Sequence, residues 1–479
     1  MRSLLRITLV LFFVAPILIW LLMVPHWSWP GTDWLRPLFI SLVQAGASAA
    51  ASLVFGVLMT MGALAITKRR SDRLLEFWLL IPNLIPSLFL ILAMLNLSLW
   101  IPFFRPSFLA VILAHVLLNS GLVALALLRL VGARLSGFID LAIVEGARRR
   151  MIWLEVILPS LKRELMFLFL FVFSVCLTSF SIPLVLGGMS VSNFEILIYQ
   201  TLRTNSDWSK VLDYALIQLA MLTFLAVLVP KPQWSIHNCG ATWPALGLKR
   251  FLPLTLAPSL ILLIGWGSGI VQSLRHYVYE DLFFDPGMAA LTTLIVALGT
   301  GFMILILCLW ISFVWPHPKL SIFMKSYLAP SSAITGFSFL LLPGQEGNWP
   351  LLKMIMALAL VTFPLLFRWL GQSALESLEE QIAVARTLGA SWSQILFEII
   401  WPQRAATFLR MSGLGALWAS GDFALTSIMA EGHRTWAIWI DSLLNSYRLD
   451  LASLLTIPLF AIGLICYGFF VGAARYVNR

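Results

Sequence analysis

One carboxylate stands out by its position. Asp422, in Ser420-Gly421-Asp422-Phe423, falls inside the apolar run from Ala416 to Met429, where an ionised group must face a cavity, a partner or water. A lone negative charge beside a pathway favours a cationic cargo and disfavours sulfate or phosphate. A shift of 243 residues carries Ser179 onto Asp422 and Phe180 onto Phe423, so these four are the candidate lining of a translocation pathway. The competing reading makes Asp422 a wetted helix-end carboxylate or a partner of Arg434. His115 and Asn119, spaced i and i+4, could be taken as a ligand pair, but a histidine hydrogen-bonded within a helix bundle is the commoner outcome. His276, His317 and His433 lack metal-ligand spacing, and nothing resembles a nucleophile, base and acid held together. Cys176, Cys239, Cys308 and Cys466 have no CxxC spacing and three of them lie in apolar stretches, so they read as inert thiols.

The elements that must hold these residues are set by composition. Of 479 residues 60% are hydrophobic and 11% charged, and the mean hydropathy of +0.92 excludes a disordered chain and an ordinary cytosolic enzyme. Apolar runs lie at 7–24, 37–66, 74–99, 107–131, 164–186 and 212–230, then at 252–273, 289–315, 321–343, 351–370, 406–429 and 451–473. At about 20 residues per span they predict an all-α integral membrane protein with about twelve transmembrane helices. Arg2 and Arg6 precede the first run, but Met23-Val24-Pro25-His26-Trp27 offers no small-residue cleavage site, so that run is kept as a span.

The net charge of +10 is an orientation signal. With a cytoplasmic N-terminus the outward loops hold Arg36, Arg105, Arg203, Lys210, Arg275, Lys353, Arg434 and Arg448, leaving most of the 32 Lys and Arg inside. Lys68-Arg69-Arg70 and Arg148-Arg149-Arg150 are among them, the bias of a plasma-membrane protein with both termini cytoplasmic. The inner cations suit anionic lipid headgroups, not nucleic acid. Trp27, Trp29, Trp34, Trp100 and Trp349 cluster where interfacial belts belong.

The chain is duplicated. The same 243-residue shift superposes Ala142 on Ala385, Gly146 on Gly389, Ala147 on Ala390, Ile152 on Ile395, Glu155 on Glu398, Ile157 on Ile400 and Pro159 on Pro402. A hydrophilic stretch after six spans separates two halves, 1–230 and 252–479, with 231–251 as a cytoplasmic linker. Each half then starts and ends inside, giving two parallel six-helix repeats. The best-matched part is a cytoplasmic loop, although loops usually vary most. Each copy reads as short helix, Gly, amphipathic helix, Pro. Gly permits a φ > 0 turn, and Pro is expected to end the second helix before the next span.

This loop resembles the EAA loop of type I ABC importer permeases, Glu-Ala-Ala, three residues, Gly, then a hydrophobic run closing with Pro. Asp140-Leu141-Ala142 stands before Gly146, and Ala383-Val384-Ala385, which has lost the acid, stands before Gly389. The resemblance implies that Asp140, Ala142, Gly146, Ala147 and Pro159, with Ala383, Ala385, Gly389, Ala390 and Pro402, couple the chain to an ATPase, the two halves contacting it unequally. Glu379 and Glu380 are the acids nearest the second loop. No GxxxxGK[ST] loop occurs, so the chain is read as a non-enzymatic permease without cofactors of its own, with ATP and Mg on a separate, homodimeric ABC ATPase subunit.

Further stretches resemble the ferric iron, thiamine and sulfate permease group. They are Leu80-Ile81-Pro82-Asn83-Leu84-Ile85-Pro86, Leu113-Ala114-His115-Val116-Leu117-Leu118-Asn119, Ser179-Phe180-Ser181 through Gly188 to Gln200, Ser420 to Phe423, and Arg434-Thr435-Trp436. That resemblance implies a bacterial inner-membrane importer fed by a periplasmic substrate-binding protein, with thiamine as cargo and ferric iron as the alternative. A gradient-coupled secondary carrier would want inverted repeats and several intramembrane charges, and a membrane-bound enzyme would want clustered His, Asp or Glu. Pro82, Pro86, Pro183, Pro330 and Pro364 fall in or beside apolar runs and mark either hinges or static packing.

Overall fold

The computed structural model describes residues 2–24, 31–66, 73–188, 192–205, 207–228, 246–276, 285–315, 332–344, 346–429 and 432–477. Cys239, His317, Pro330, Lys68 to Arg70, Trp27, Trp29 and most of the proposed linker lie outside them. All regular structure among the described residues is helical. Among the described residues, seven helices are long and apolar enough to cross a membrane: Ser3–Met23, Leu35–Leu64, Phe108–Gly132, Lys249–Arg275, Pro286–Val314, Trp349–Glu376 and Leu449–Val477. The chain is a multi-pass, all-α membrane protein. The pair Leu74–Leu84 and Ser87–Ser98 passes the same test together and meets at 87°, as a broken span or a re-entrant loop would. Among the described residues, the other apolar runs contain the helices Lys162–Leu177 with Ser181–Leu186, Trp208–Leu228, Ser332–Leu341, and Trp401–Ser420 with Ala424–Met429; residues 321–331 of the run 321–343 lie outside the described residues.

Lipid offers helices no hydrophobic reason to associate, so close packing of small residues must serve. The Leu35–Leu64 helix buries a stripe that includes Ser41, Ala45, Ser48, Ser52 and Gly56 at helical spacing. It lies against Phe108–Arg134 and Lys162–Leu177. A β-carbon on Gly56 would stand 2.4 Å from Val123 Cγ1, too near for the two backbones to keep their approach. In the second half Pro286–Val314 buries Ala289, Thr293, Ala297, Thr300 and Gly301 against Trp401–Ser420 and Trp349–Leu366. Some buried hydroxyls return to carbonyls one turn back, as Thr60 does to Gly56 (2.8 Å) and Thr300 to Val296 (2.8 Å), whereas those of Ser48 and Ser52 have no hydrogen-bond partner.

The duplication extends beyond the loop. Phe194 N donates to Ser41 Oγ at 2.7 Å, and Trp436 N donates to Thr293 Oγ1 at 2.8 Å. Both bonds tie the start of a helix, Phe194–Asn205 or Trp436–Asn445, to the long helix of its own half. The first helix of each half seats on the other half. Arg2–Met23 packs on Ser332–Leu341, and Leu252–His276 packs on Arg73–Leu84 and Ser87–Ser98. Trp20 Nε1 donates to Ile334 O (3.4 Å) and Ser259 Oγ to Trp78 O (2.6 Å) across these contacts.

Candidate functional site

The two loops fold alike. Ser136–Val144 and Glu379–Thr387 are their first helices. Gly146 and Gly389 follow at φ 77° and 85°, the left-handed region that other residues resist. The closing bonds match: Ala147 N to Ala142 O at 2.9 Å, and Ala390 N to Ala385 O at 3.0 Å. This is the six-to-one bond of a glycine-terminated helix. Nothing stands within 4 Å of either glycine's missing side chain, so conformation alone demands glycine there.

Pro159 ends its helix within a residue, at the Leu161 turn before Lys162–Leu177, as expected, whereas Pro402 does not end its own. Ile152–Ile157 and Ile395–Ile400 are π-helical turns, and the chain stays helical through Leu158–Ser160 and into Trp401–Ser420. Proline removes one donor and crowds the carbonyl four residues back, and the wider turn accommodates both defects. Pro159 and Pro402 sit exposed beyond it. Inward, Ile152, Ile157, Ile395 and Ile400 are each at most 1% exposed. Outward, equivalent apolar positions are bare in both copies: Leu141 (60%) with Val384 (59%), and Leu154 (51%) with Phe397 (64%). Asp140 and Ala383 are exposed, and Glu380, one turn before Ala383, is exposed as well.

Between the halves lies a cavity of about 300 Å³. Ser179, Phe180 and Asp422, brought together from opposite halves, all line it; Phe423 does not. Asp422 Oδ1 accepts from Leu425 N at 2.8 Å, capping the turn into Ala424–Met429. The next residue points elsewhere, and Phe423 is buried at 1% exposure. Asp422 is therefore a helix-end carboxylate and a cavity wall at once. Arg434 is not its partner; that guanidinium lies 5.0 Å from the Trp439 ring. Ion pairs among the described residues join Arg129 to Glu76, Arg134 to Glu164 and Lys210 to Asp207.

The bend between Leu74–Leu84 and Ser87–Ser98 forms one wall. Pro86 starts the second arm, and Asn83, whose carbonyl the bend frees, accepts from Trp418 Nε1 of the other half at 3.0 Å. The Asn83 amide donates to Leu118 O. His115 and Asn119 line the cavity too. His115 is held within the bundle as expected, by Gln44 at 3.0 Å, and Asn119 Nδ2 donates to the His115 carbonyl at 2.8 Å. The stretches that carry the permease resemblance thus supply much of the wall, from Pro82 to Pro86, from His115 to Asn119, and at Ser179 to Ser181.

No family model, curated protein or solved structure matches the chain.

Arg368 is the lining residue that the sequence pattern missed. Pro364 interrupts the Trp349–Leu366 helix, a π turn follows at Phe367–Gly371, and Arg368 sits on that turn. Its guanidinium lies 5.3 Å from the Phe167 ring and 5.6 Å from the Phe171 ring, both in the other half. Burying a guanidinium in an apolar interior is costly, and a cation over an aromatic face returns about 0.5–2 kcal/mol. A proline four residues before an arginine, inside an apolar run, was the available signal.

Proposed function

We propose that the chain is the membrane-spanning subunit of an ATP-driven, binding-protein-dependent importer of the type I ABC class. In this reading twelve spans form two fused six-helix halves in a bacterial inner membrane, with both termini cytoplasmic. The observation that carries it is the repeated helix-turn-helix, with the same left-handed glycine, closing bond, π turn and exposed apolar positions at one sequence shift. Two equivalent surfaces suit a partner with two equivalent clefts, such as a homodimeric ABC ATPase carrying ATP and Mg. Leu141, Leu154, Val384 and Phe397 would be covered by that partner. A periplasmic binding protein would deliver cargo to the opposite face. Closure of the ATPase on both loops would move the Lys162–Leu177 and Trp401–Ser420 helices that continue from them, and so the cavity walls.

For cargo we propose thiamine, from the permease resemblance and the Asp422 carboxylate in the cavity, with ferric iron as the alternative. The test is uptake of labelled thiamine, with iron as a parallel label, in cells with the gene intact, deleted, or carrying Gly146→Pro and Gly389→Pro together. Loss of thiamine uptake in the last two is expected. Unchanged uptake in the deletion, with no second thiamine importer present, sinks the thiamine assignment. Purification without a copurifying ATPase, from cells where uptake is active, sinks the importer reading itself.

A further inference from the structure

The cavity has two poles. Among the described residues its charged lining side chains are Asp422 and Arg368, one from each sign, and they are not ion-paired to each other. Arg368 Nη1 is buried without a hydrogen-bond partner, and native interiors seldom leave a guanidinium donor bare. A cation alone would satisfy Asp422 and confront Arg368 with like charge. An anion alone would do the reverse.

We propose that this cavity binds a small dipolar solute, its oxyanion held by Arg368 and its cationic nitrogen facing Asp422. This deepens the importer reading and rests on it for the solute's being cargo. The cavity of about 300 Å³ has room for roughly ten waters, enough for a solute of that kind. Phe171 and Trp418 are among the lining residues, aromatic groups of the kind that attract a delocalised or methylated cation. The Pro364 break and π turn that set Arg368 against two rings hold the guanidinium in place before the solute arrives, which lowers the entropy lost on binding. Plain thiamine, a cation without an acidic group, would use the Asp422 pole alone, so a dipolar cargo would displace the thiamine assignment while leaving the importer reading intact.

The test uses the whole chain in lipid nanodiscs without ATPase, and equilibrium binding of labelled choline, glycine betaine, phosphocholine and inorganic phosphate. The first three share a quaternary ammonium and differ in the oxyanion. Glycine betaine or phosphocholine should bind about tenfold or more tighter than choline, and which of the two leads identifies the oxyanion as carboxylate or phosphate. Arg368→Gln should bring that ratio to within about twofold of unity while choline binding persists. Asp422→Asn should weaken choline and the leading dipolar probe together. Choline binding as tightly as both dipolar probes overturns the proposal, as does absence of saturation by any probe at about 10 mM. Phosphate alone matching the leading dipolar probe overturns the cationic pole, and an unchanged ratio in Arg368→Gln leaves that arginine an aromatic clasp only. The wild-type ratio decides the matter even if the variant fails to fold. Because no ATPase is present, failure here leaves the importer reading standing, and loss of that reading leaves the ratio measurable.

Discussion

The first and second loops share a backbone and differ in what anchors it. In the first, Trp153 Nε1 donates to Leu246 O at 3.3 Å, and Leu248 N donates to Met61 O at 2.9 Å. The segment entering the second half is thereby fastened to the loop and to the end of the Leu35–Leu64 helix. The second loop holds itself. Ser391 and Gln394 form a reciprocal capping box, Arg386 lies 4.7 Å from the Trp392 ring, and Gln403 reaches Gln381 at 2.8 Å. The copy that kept an acid at the motif position, Asp140, leans on the linker; the copy that lost it has internal bonds instead. A duplicated unit can keep the geometry a partner reads while its supports diverge.

The most severe way to break this comparison is at the shared turn. Gly146→Pro with Gly389→Pro forces φ from the positive region to about −65° in both copies, and ATPase-coupled uptake should fall by more than about tenfold. Separately, Gly146→Pro should be the more damaging change; equal losses would mean that the acid in the first loop contributes nothing. Next comes the carboxylate itself. Asp140→Asn should reduce ATPase association by about threefold to tenfold, the size of one charge-assisted hydrogen bond. Glu380→Gln should reproduce that loss in the second loop if the glutamate one turn upstream replaces the missing acid, and pull-down of the ATPase partner reads both.

Smaller effects separate the two kinds of anchor. Ser391→Ala removes a helix cap and should cost about 1 kcal/mol, seen as faster amide exchange over 391–400 with 148–157 unaffected. Trp153→Phe removes one buried donor at about 0.5–1.5 kcal/mol and should speed exchange in 246–251 together with the first loop. If Trp153→Phe leaves 246–251 protected, the linker is held by Met61 alone and the contrast between the loops weakens.

Much of this molecule is written locally. Apolar runs such as 37–66 and 289–315 become the long helices Leu35–Leu64 and Pro286–Val314, because lipid leaves a backbone few alternatives. The 243-residue shift found both glycine turns, because a left-handed residue at a helix end selects glycine within a handful of positions. Ser179, Phe180 and Asp422 were found through the same shift and do line one cavity. What the pattern misplaced depends on rotation and on distant partners. Phe423 follows Asp422 directly, yet a capping turn sends the two side chains to different surroundings. Arg368 meets Phe167 and Phe171 across the junction of halves, a contact that no window of sequence contains. The π turns widen the backbone without altering the apolar periodicity, so they left no trace beyond the prolines.

The crossed seating of the first helices bears on how the protein is made. Arg2–Met23 is made long before Ser332–Leu341, yet Trp20 finds its acceptor at Ile334, 314 residues later in the chain. Until then that helix can pack only within its own half, where the Trp20 ring lies 5.4 Å from the Trp208 ring. An N-terminal half produced alone would carry a helix without part of its seat and offer the seat of a helix it does not possess.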